Sequence, residues 1–231
     1  MRIGLLLSAA LAATAVASAA SAAQELVNGA FATGDFTGWT LTPTANGTLG
    51  FGAPPAVALF SVVSGVPQNA ARLAVGNVTF VPGDFEGGSL SQTFSTGAGE
   101  LVFSTDVAIT AVHGSNANGG TISVLLDGVS LDSFSVGSIS TGDIFRDQLN
   151  FDQLVLAGSH TLSILAVRDF QSSGVFGQTP FQYITNASAD FTPSGGGSVP
   201  EPASWAMMLA GLGATGAILR RQRQIARPLA S

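Results

Sequence analysis

The sequence predicts an all-β domain, a single jelly-roll-like β-sandwich, with a short apolar segment on each side. Residues 24–193 are rich in Gly, Ser, Thr, Val and Phe, and no stretch in them repeats apolar residues at helical spacing. Short alternating or β-branched runs occur instead, and clusters of Gly, Pro, Asn and Asp separate them. Many short strands with little helix are typical of a sandwich or jelly roll.

Alternation predicts nine strands. They cover residues 57–63, 71–75, 89–95, 101–109, 121–126, 129–136, 153–156, 160–167 and 183–191. Asp127-Gly128 lies between two of these runs and predicts a tight hairpin, because both residues tolerate positive φ. In the run 160–167, Leu162, Ile164 and Ala166 fall on one face and are expected in the core.

Composition excludes several classes of function. The chain has no cysteine, so neither a disulfide framework nor thiolate chemistry is available. Between residues 24 and 199, thirteen Asp and Glu oppose only Arg72, Arg146 and Arg168, which gives a formal charge near −10. Nucleic acid is therefore not expected as a partner, because its phosphates would be repelled. The length of this segment fits one domain.

The first segment, residues 1–23, predicts a signal peptide. Arg2 precedes an apolar stretch over residues 3–16, and Ala20-Ser21-Ala22 supplies a small-residue cleavage pattern. We expect export through the Sec translocon and cleavage by signal peptidase after Ala22 or Ala23.

The last segment predicts a short transmembrane helix with a basic end. A Gly/Ser linker over residues 194–199 leads to an apolar run of fifteen residues, 205–219, within an expected helix over residues 203–219. Fifteen helical residues reach about 22 Å, less than the roughly 30 Å of a hydrocarbon core. Arginines follow at once, and the positive-inside rule places them in the cytoplasm. Residues 224–231 form a tail.

Residues 200–223 resemble the PEP-CTERM sorting signal, in the variant with WAMM after the PEP triplet. The resemblance is carried by Pro200, Glu201, Pro202, Trp205, Ala206, Met207, Met208, the glycine-spaced run with Gly211, and Arg220, Arg221 and Arg223. It implies recognition and cleavage by an exosortase after transient anchoring in the inner membrane. It also implies delivery to the cell surface or matrix of a Gram-negative bacterium that makes extracellular polysaccharide.

A second resemblance lies at the start of the central domain. Asn28, Phe31, Gly34, Asp35, Phe36, Gly38 and Trp39 are similar to the opening of galactose-binding-like jelly rolls. The residues themselves predict packing, with the three aromatic rings closing one end of the sandwich; stacking of Trp39 on a sugar is the alternative. The resemblance implies a structural calcium between the first and last strands, with Glu25, Asp35 and Asp190 as candidate ligands.

No set of residues predicts catalysis. Asp84 and Glu86 are close in sequence, as are Asp143, Asp147 and Asp152, and loop acids of this kind are usually solvated. Calcium binding and glycoside hydrolysis are the alternatives. His113 and His160 lack metal-ligand spacing and are expected to be ordinary surface or turn residues.

The sequence therefore favours a protein that is not an enzyme, with no cofactor beyond the candidate calcium, and with a structural or adhesive role in extracellular polysaccharide. A carbohydrate-binding module, with Trp39 and Tyr183 as the aromatic candidates, is the alternative. A glycoside hydrolase is a third interpretation.

Replacing Arg220, Arg221 and Arg223 by Ser is expected to weaken membrane retention or processing, because these charges hold the end of the anchor in the cytoplasm. Cell fractionation and mass spectrometry of the C-terminus measure the two effects. Unchanged fractionation together with unchanged tail cleavage would count against the anchor.

Overall fold

A computed structural model describes residues 22–79, 81–111, 117–169 and 180–194, together with residues 208–210, 212 and 220 of the tail. Its strands, in chain order, are β1 (Ala23–Gln24), β2 (Thr40–Pro43), β3 (Gly47–Thr48), β4 (Ala56–Phe60), β5 (Gln68–Leu73), β6 (Gly76–Asn77), β7 (Phe85–Thr96), β8 (Gly99–Thr110), β9 (Ala117–Leu126), β10 (Val129–Ile139), β11 (Ile144–Val155), β12 (Gly158–Asp169) and β13 (Phe181–Pro193).

Two antiparallel sheets form a β-sandwich, as predicted. The larger sheet has the order β11-β8-β13-β5-β4, and β1 adds to β13; the smaller sheet has the order β10-β9-β12-β7-β2, and β3 pairs with β6 separately. Alternate residues of both sheets point inward, where Phe103, Leu90, Ile122, Ile164 and Ile184 are fully buried. The inward faces thus supply one continuous core.

All nine predicted strands are present, but several bounds were wrong. The run predicted at 153–156 belongs to β11, which begins at Ile144. Its inward residues Leu149 and Phe151 are buried, while the charged and amide side chains around them in β11 are exposed and obscured the alternation. The run predicted at 57–63 ends as a strand at Phe60. The short strands β1, β2, β3 and β6 hold too few residues to show a period.

The predicted hairpin at Asp127-Gly128 is confirmed. Asp127 has φ of 52° and Gly128 has φ of 82°, so both turn residues lie in the left-handed region that a type I′ turn requires. The turn joins β9 to β10 with Val129 opposite Leu126.

Most of the C-terminal segment lies outside the described residues. Residues 208–210, 212 and 220 are helical and exposed. Among the residues that the structure describes, no helix is long and apolar enough to cross a membrane.

A buried polar clip ties the two sheets together at one end of the sandwich. Gln182 of β13 is 1% exposed; its Oε1 accepts the Val75 amide at 3.1 Å, and its Nε2 donates to the Gly119 carbonyl at 3.0 Å. Arg168 of β12 donates from Nε to the Val75 carbonyl at 2.9 Å. Burial lowers the pKa of Arg168. The segment after β5 is thereby fixed to strands of both sheets.

Gln182→Leu is expected to lower the free energy of unfolding by about 2–6 kcal/mol, because it leaves a buried donor and a buried acceptor unpaired at roughly 1–3 kcal/mol each. Urea denaturation measures this. The matched change at the exposed Gln153 is expected to stay within about 0.5 kcal/mol. Equal effects at the two positions would contradict the clip.

Candidate functional site

The aromatic residues of the opening motif close one end of the core, as their packing interpretation predicts. Phe31 is fully buried and stacks on Trp39 with 5.7 Å between ring centroids. Trp39 is 7% exposed, and its Nε1 donates to the Asn28 carbonyl at 3.2 Å. The alternative role for Trp39, stacking on a sugar, is wrong because both its face and its polar atom are already used.

The outer face of the six-stranded sheet, the side turned away from the sandwich core, has an aromatic half. Phe60 and Tyr183 stack with 3.9 Å between centroids and 9° between ring planes. The two rings cover Ala70 of β5 and Ala108 of β8. Both alanines lie on this outer face, and both are fully buried. The loop after β4 folds back so that Val62 joins this cluster.

Tyr183 therefore serves packing rather than sugar stacking. It is 7% exposed, and burial raises the pKa of its hydroxyl. Phe181 meets it edge-on at 6.3 Å, and the Arg72 guanidinium lies 5.1 Å above the Phe181 ring. The burial and ring contacts of Tyr183 correct the expectation that it is an exposed platform.

The other half of the outer face is polar and carries a trio of Asp106, Gln148 and Asn186. Gln148 of β11 lies opposite Asp106 of β8 in register, and its Nε2 donates to Asp106 Oδ1 at 3.2 Å. Asn186 of β13 donates from Nδ2 to Asp106 Oδ2 at 2.8 Å. One carboxylate thus orients two amides from the strands on either side.

A bulge in β13 explains how Asn186 reaches the carboxylate. The register between β13 and β8 shifts between Thr185 and Ser188, and Asn186 adopts φ of 51°. A bulge re-aims a side chain, and Asn tolerates the left-handed region better than most residues. Thr185 lies just before the bulge and is fully buried. Its hydroxyl donates to the backbone carbonyl of Asn69 at 2.7 Å.

Arg146 extends the polar half along β11. It is exposed and precedes Gln148 by two residues, so both side chains lie on the same face. Its Nε donates to the Ser61 carbonyl at 3.0 Å, and a guanidinium group has further N–H donors beyond this one. Asn150 follows at the next outward position.

These side chains can recognise hydroxyl groups. A carboxylate accepts hydrogen bonds, an arginine donates them, and each amide retains both a donor and an acceptor. The sequence predicted none of the three trio residues as a binding residue. Asp106 and Asn186 fall inside predicted strands, and Gln148 falls between the predicted strands 129–136 and 153–156. Strand register brings the three residues together, and no short sequence motif records that register.

Several of the acids considered for catalysis accept hydrogen bonds from neighbouring groups. Thr44 Oγ1 and the Asn46 amide donate to Glu86 Oε2. Asp143 accepts the Ser140 amide at 2.9 Å, and Asp147 accepts the Gln148 amide at 2.9 Å. The charge of Asp152 and its hydrogen bond raise the pKa of the Glu100 carboxyl.

The carboxylates of two of the three calcium candidates accept separate local hydrogen bonds, and the third candidate, Glu25, hydrogen-bonds through its backbone. Asp35 Oδ1 accepts the Thr33 hydroxyl at 2.6 Å and the Thr37 amide at 2.9 Å, and these bonds lower the pKa of Asp35. Asp190 Oδ2 accepts the Ser188 hydroxyl at 2.7 Å. The Glu25 amide donates to the Ala189 carbonyl. Within the described ranges, no group of three or more His, Asp or Glu is arranged to hold a metal. Calcium stays a prediction.

His160 differs from the surface residue expected. Its side chain is 11% exposed and pairs with Asp127. His113 lies outside the described residues, as do the sorting residues Pro200 to Met207, Gly211, Arg221 and Arg223.

Residues 198–224 match the family model of the PEP-CTERM protein-sorting motif. The resemblance found at residues 200–223 is thereby confirmed. The motif implies export, transient membrane anchoring and processing by an exosortase. No curated protein matches the chain by sequence.

Several solved structures have a similar arrangement of strands. TmCBM61 in complex with β-1,4-galactotriose is 13% identical, with 72% of this chain and 98% of that one covered and a TM-score of 0.42. The CBM22-1 xylan-binding domain of Paenibacillus barcinonensis Xyn10C is 10% identical, with coverages of 78% and 100% and a TM-score of 0.41. Arabinose-bound MgGH51 α-L-arabinofuranosidase is 17% identical, with coverages of 75% and 27% and a TM-score of 0.43. At these identities the similarity concerns the fold.

Asn186→Ala and Asn186→Gly separate backbone strain from the lost amide. Both remove the hydrogen bond to Asp106, but only alanine carries a Cβ in the left-handed region, at a cost of roughly 1–2 kcal/mol. Urea denaturation is expected to show Asn186→Ala less stable than Asn186→Gly by about that amount. Equal stabilities would contradict the strained bulge.

Proposed function

We propose that the sandwich is a non-catalytic adhesive protein of the extracellular polysaccharide and that it contacts glycan through the polar half of its outer face. The observation that carries the proposal is the trio, in which Asp106 accepts hydrogen bonds from Gln148 and Asn186 on neighbouring strands. Export, which the sorting motif implies, delivers this face to the outside of the cell.

The chemistry of the trio suits sugar hydroxyls. A neighbouring pair of hydroxyls can donate to the carboxylate while accepting from an amide or from Arg146, because each hydroxyl both donates and accepts. Hydrogen bonds to a charged group contribute about 1.5–3 kcal/mol each, so a few of them give useful affinity. The trio lies on rigid strands, which reduces the ordering cost of binding.

Charge favours a neutral glycan. The segment 24–199 carries a formal charge near −10, and Asp106 itself lies in the site. A polyanionic glycan would meet long-range repulsion that Arg146 alone does not offset.

The structure gives less support to a glycoside hydrolase. Retaining and inverting enzymes separate their two carboxyl groups by about 5 Å or more, so that a sugar fits between them. Glu100 and Asp152 instead lie next to each other, and the charge of Asp152, followed by a hydrogen bond, raises the pKa of the Glu100 carboxyl. Glu86 accepts the Thr44 hydroxyl, and Asp143 and Asp147 accept backbone amides of nearby residues.

The first strand bears on signal-peptide cleavage. β1 consists of Ala23 and Gln24, with Ala23 opposite Phe191 of β13. Cleavage by signal peptidase after Ala22 keeps both residues of β1, whereas cleavage after Ala23 removes half of it. We therefore expect the cut after Ala22, following export through the Sec translocon.

Glycan-array screening of the secreted protein, followed by calorimetry with a neutral glycan that it binds, tests the proposed function. Asp106→Asn and Gln148→Ala are each expected to weaken binding about tenfold or more, which corresponds to roughly 1.4 kcal/mol. Asp84→Asn makes the same charge change in an exposed loop before β7 and is expected to bind like the native protein.

No saturable binding to any glycan would leave a purely structural role. Binding that persists in Asp106→Asn and Gln148→Ala would place the glycan elsewhere on the sandwich. Glycan cleavage that is lost after changing one carboxylate would instead favour a hydrolase.

A further inference from the structure

A second site lies at the end of the sandwich where β9 turns into β10 and β11 turns into β12. An open pocket of about 360 Å³ is lined there mainly by aliphatic side chains: Leu126, Val129, Leu131, Leu154, Val155 and Leu156. Leu154 is 75% exposed and Leu156 is 81% exposed. Asp127 and His160 are the titratable groups of the lining, and Gln153 completes it.

His160 connects three segments around this pocket. Its ring belongs to the first residues of β12, its Nδ1 lies 2.7 Å from Asp127 Oδ2 in the β9–β10 turn, and its Nε2 lies 2.9 Å from the Leu156 carbonyl after β11. Asp127 is fixed in turn, because its Oδ1 accepts the Thr161 amide at 2.8 Å. The ring therefore holds the end of β11 against the hairpin.

Both partners of the ring are acceptors, and this determines its protonation. A carboxylate oxygen and a carbonyl oxygen cannot donate, so each ring nitrogen must carry a proton to satisfy both bonds. The neutral ring has one N–H and can keep only one of them. The Asp127 bond is charge-assisted and is the stronger one. When the ring loses a proton, Nε2 is therefore the nitrogen that gives it up. The hydrogen bond to the Leu156 carbonyl is then lost, because a lone pair on Nε2 faces the carbonyl oxygen.

We propose that His160 is a pH-sensitive clasp that holds the wall of the aliphatic pocket. With both nitrogens protonated it ties Leu156 to the β9–β10 turn. After loss of one proton it releases the Leu156 carbonyl, and the wall formed by Leu154 and Leu156 becomes free to move.

The surroundings of the ring support a single controlling charge. Among the residues that the structure describes, Asp127 is the charged group paired with it; β7 contributes the uncharged Phe94 ring at 6.4 Å, and Leu156 after β11 contributes its carbonyl. The hydrogen bond to Asp127, followed by that to Leu156, raises the pKa of His160 above its ordinary 6.5. A raised pKa in the folded protein means that the clasp stabilises fully below the ordinary value and is lost as pH rises through the raised one.

NMR titration of the secreted protein tests the clasp. The chain has two histidines, so His113→Gln leaves His160 as the only imidazole signal. We expect the ring to titrate above 6.5, with both ¹⁵N resonances in their protonated positions below the midpoint. The methyl resonances of Leu154 and Leu156 are expected to shift with the same midpoint.

Matched variants identify the controlling charge. Asp127→Asn is expected to lower both midpoints toward the ordinary value, whereas Asp84→Asn, with the same loss of charge elsewhere, leaves them unchanged. His160→Gln is expected to abolish the pH dependence of the leucine methyls. A ring that titrates at or below 6.5, or leucine methyls that do not follow it, would overturn the clasp. The native titration decides this even where a variant folds poorly.

Discussion

The pairing of β13 between β8 and β5 is the constraint on which both faces of the larger sheet depend. β13 is the last strand of the sandwich, and it lies in the middle of the sheet rather than at its edge. Its inward residues Ile184 and Ala189 are fully buried in the core. Its outward residues supply Tyr183 to the aromatic cluster and Asn186 to the trio. The core and the candidate site therefore form only after the chain has been made up to residue 193, and most of the contacts that hold them are distant in sequence.

β13 packs into the core on its inner face and contributes to the candidate site on its outer face. Both are possible because one bulge interrupts the two-residue alternation of its side chains. Before the shift, the side chain of Thr185 is buried and its hydroxyl donates to the Asn69 carbonyl. After it, Ala187 and Ala189 return to the core. The extra residue, Asn186, is released outward in a left-handed conformation and meets Asp106. An unbroken strand would keep the core but would not place an amide there.

The sequence predicted those parts of the fold whose causes are local. Alternation revealed strands such as β12, and Asp127-Gly128 revealed its turn, because each signal lies within a few residues. The rings of Phe31 and Trp39 were expected to pack together for the same reason. Register, by contrast, joins Gln148 to Asp106 and Asn186 across three strands that are far apart in the chain, and no short pattern records it.

For two aromatic residues, residue type alone predicted the wrong role. Trp39 and Tyr183 were candidates for stacking on sugars because they are scarce and large. Each is 7% exposed, since a large ring gains more from burial against Phe31 or Phe60 than from contact with water. For His160 the sequence predicted too little. It was expected to be an ordinary surface or turn residue, yet its ring joins three segments. Its role depends on the Leu156 carbonyl, which no side-chain pattern contains.

The central claim is that the polar half of the outer face meets polysaccharide outside the cell. NMR mapping of the secreted protein against the extracellular polysaccharide of the bacterium that makes it tests this most directly. The account predicts that amide shifts concentrate at the outward positions of β8, β11 and β13 around Asp106, while the Trp39 end and the smaller sheet stay unchanged. Shifts confined to those other surfaces, or no shifts at saturating polysaccharide, would contradict it.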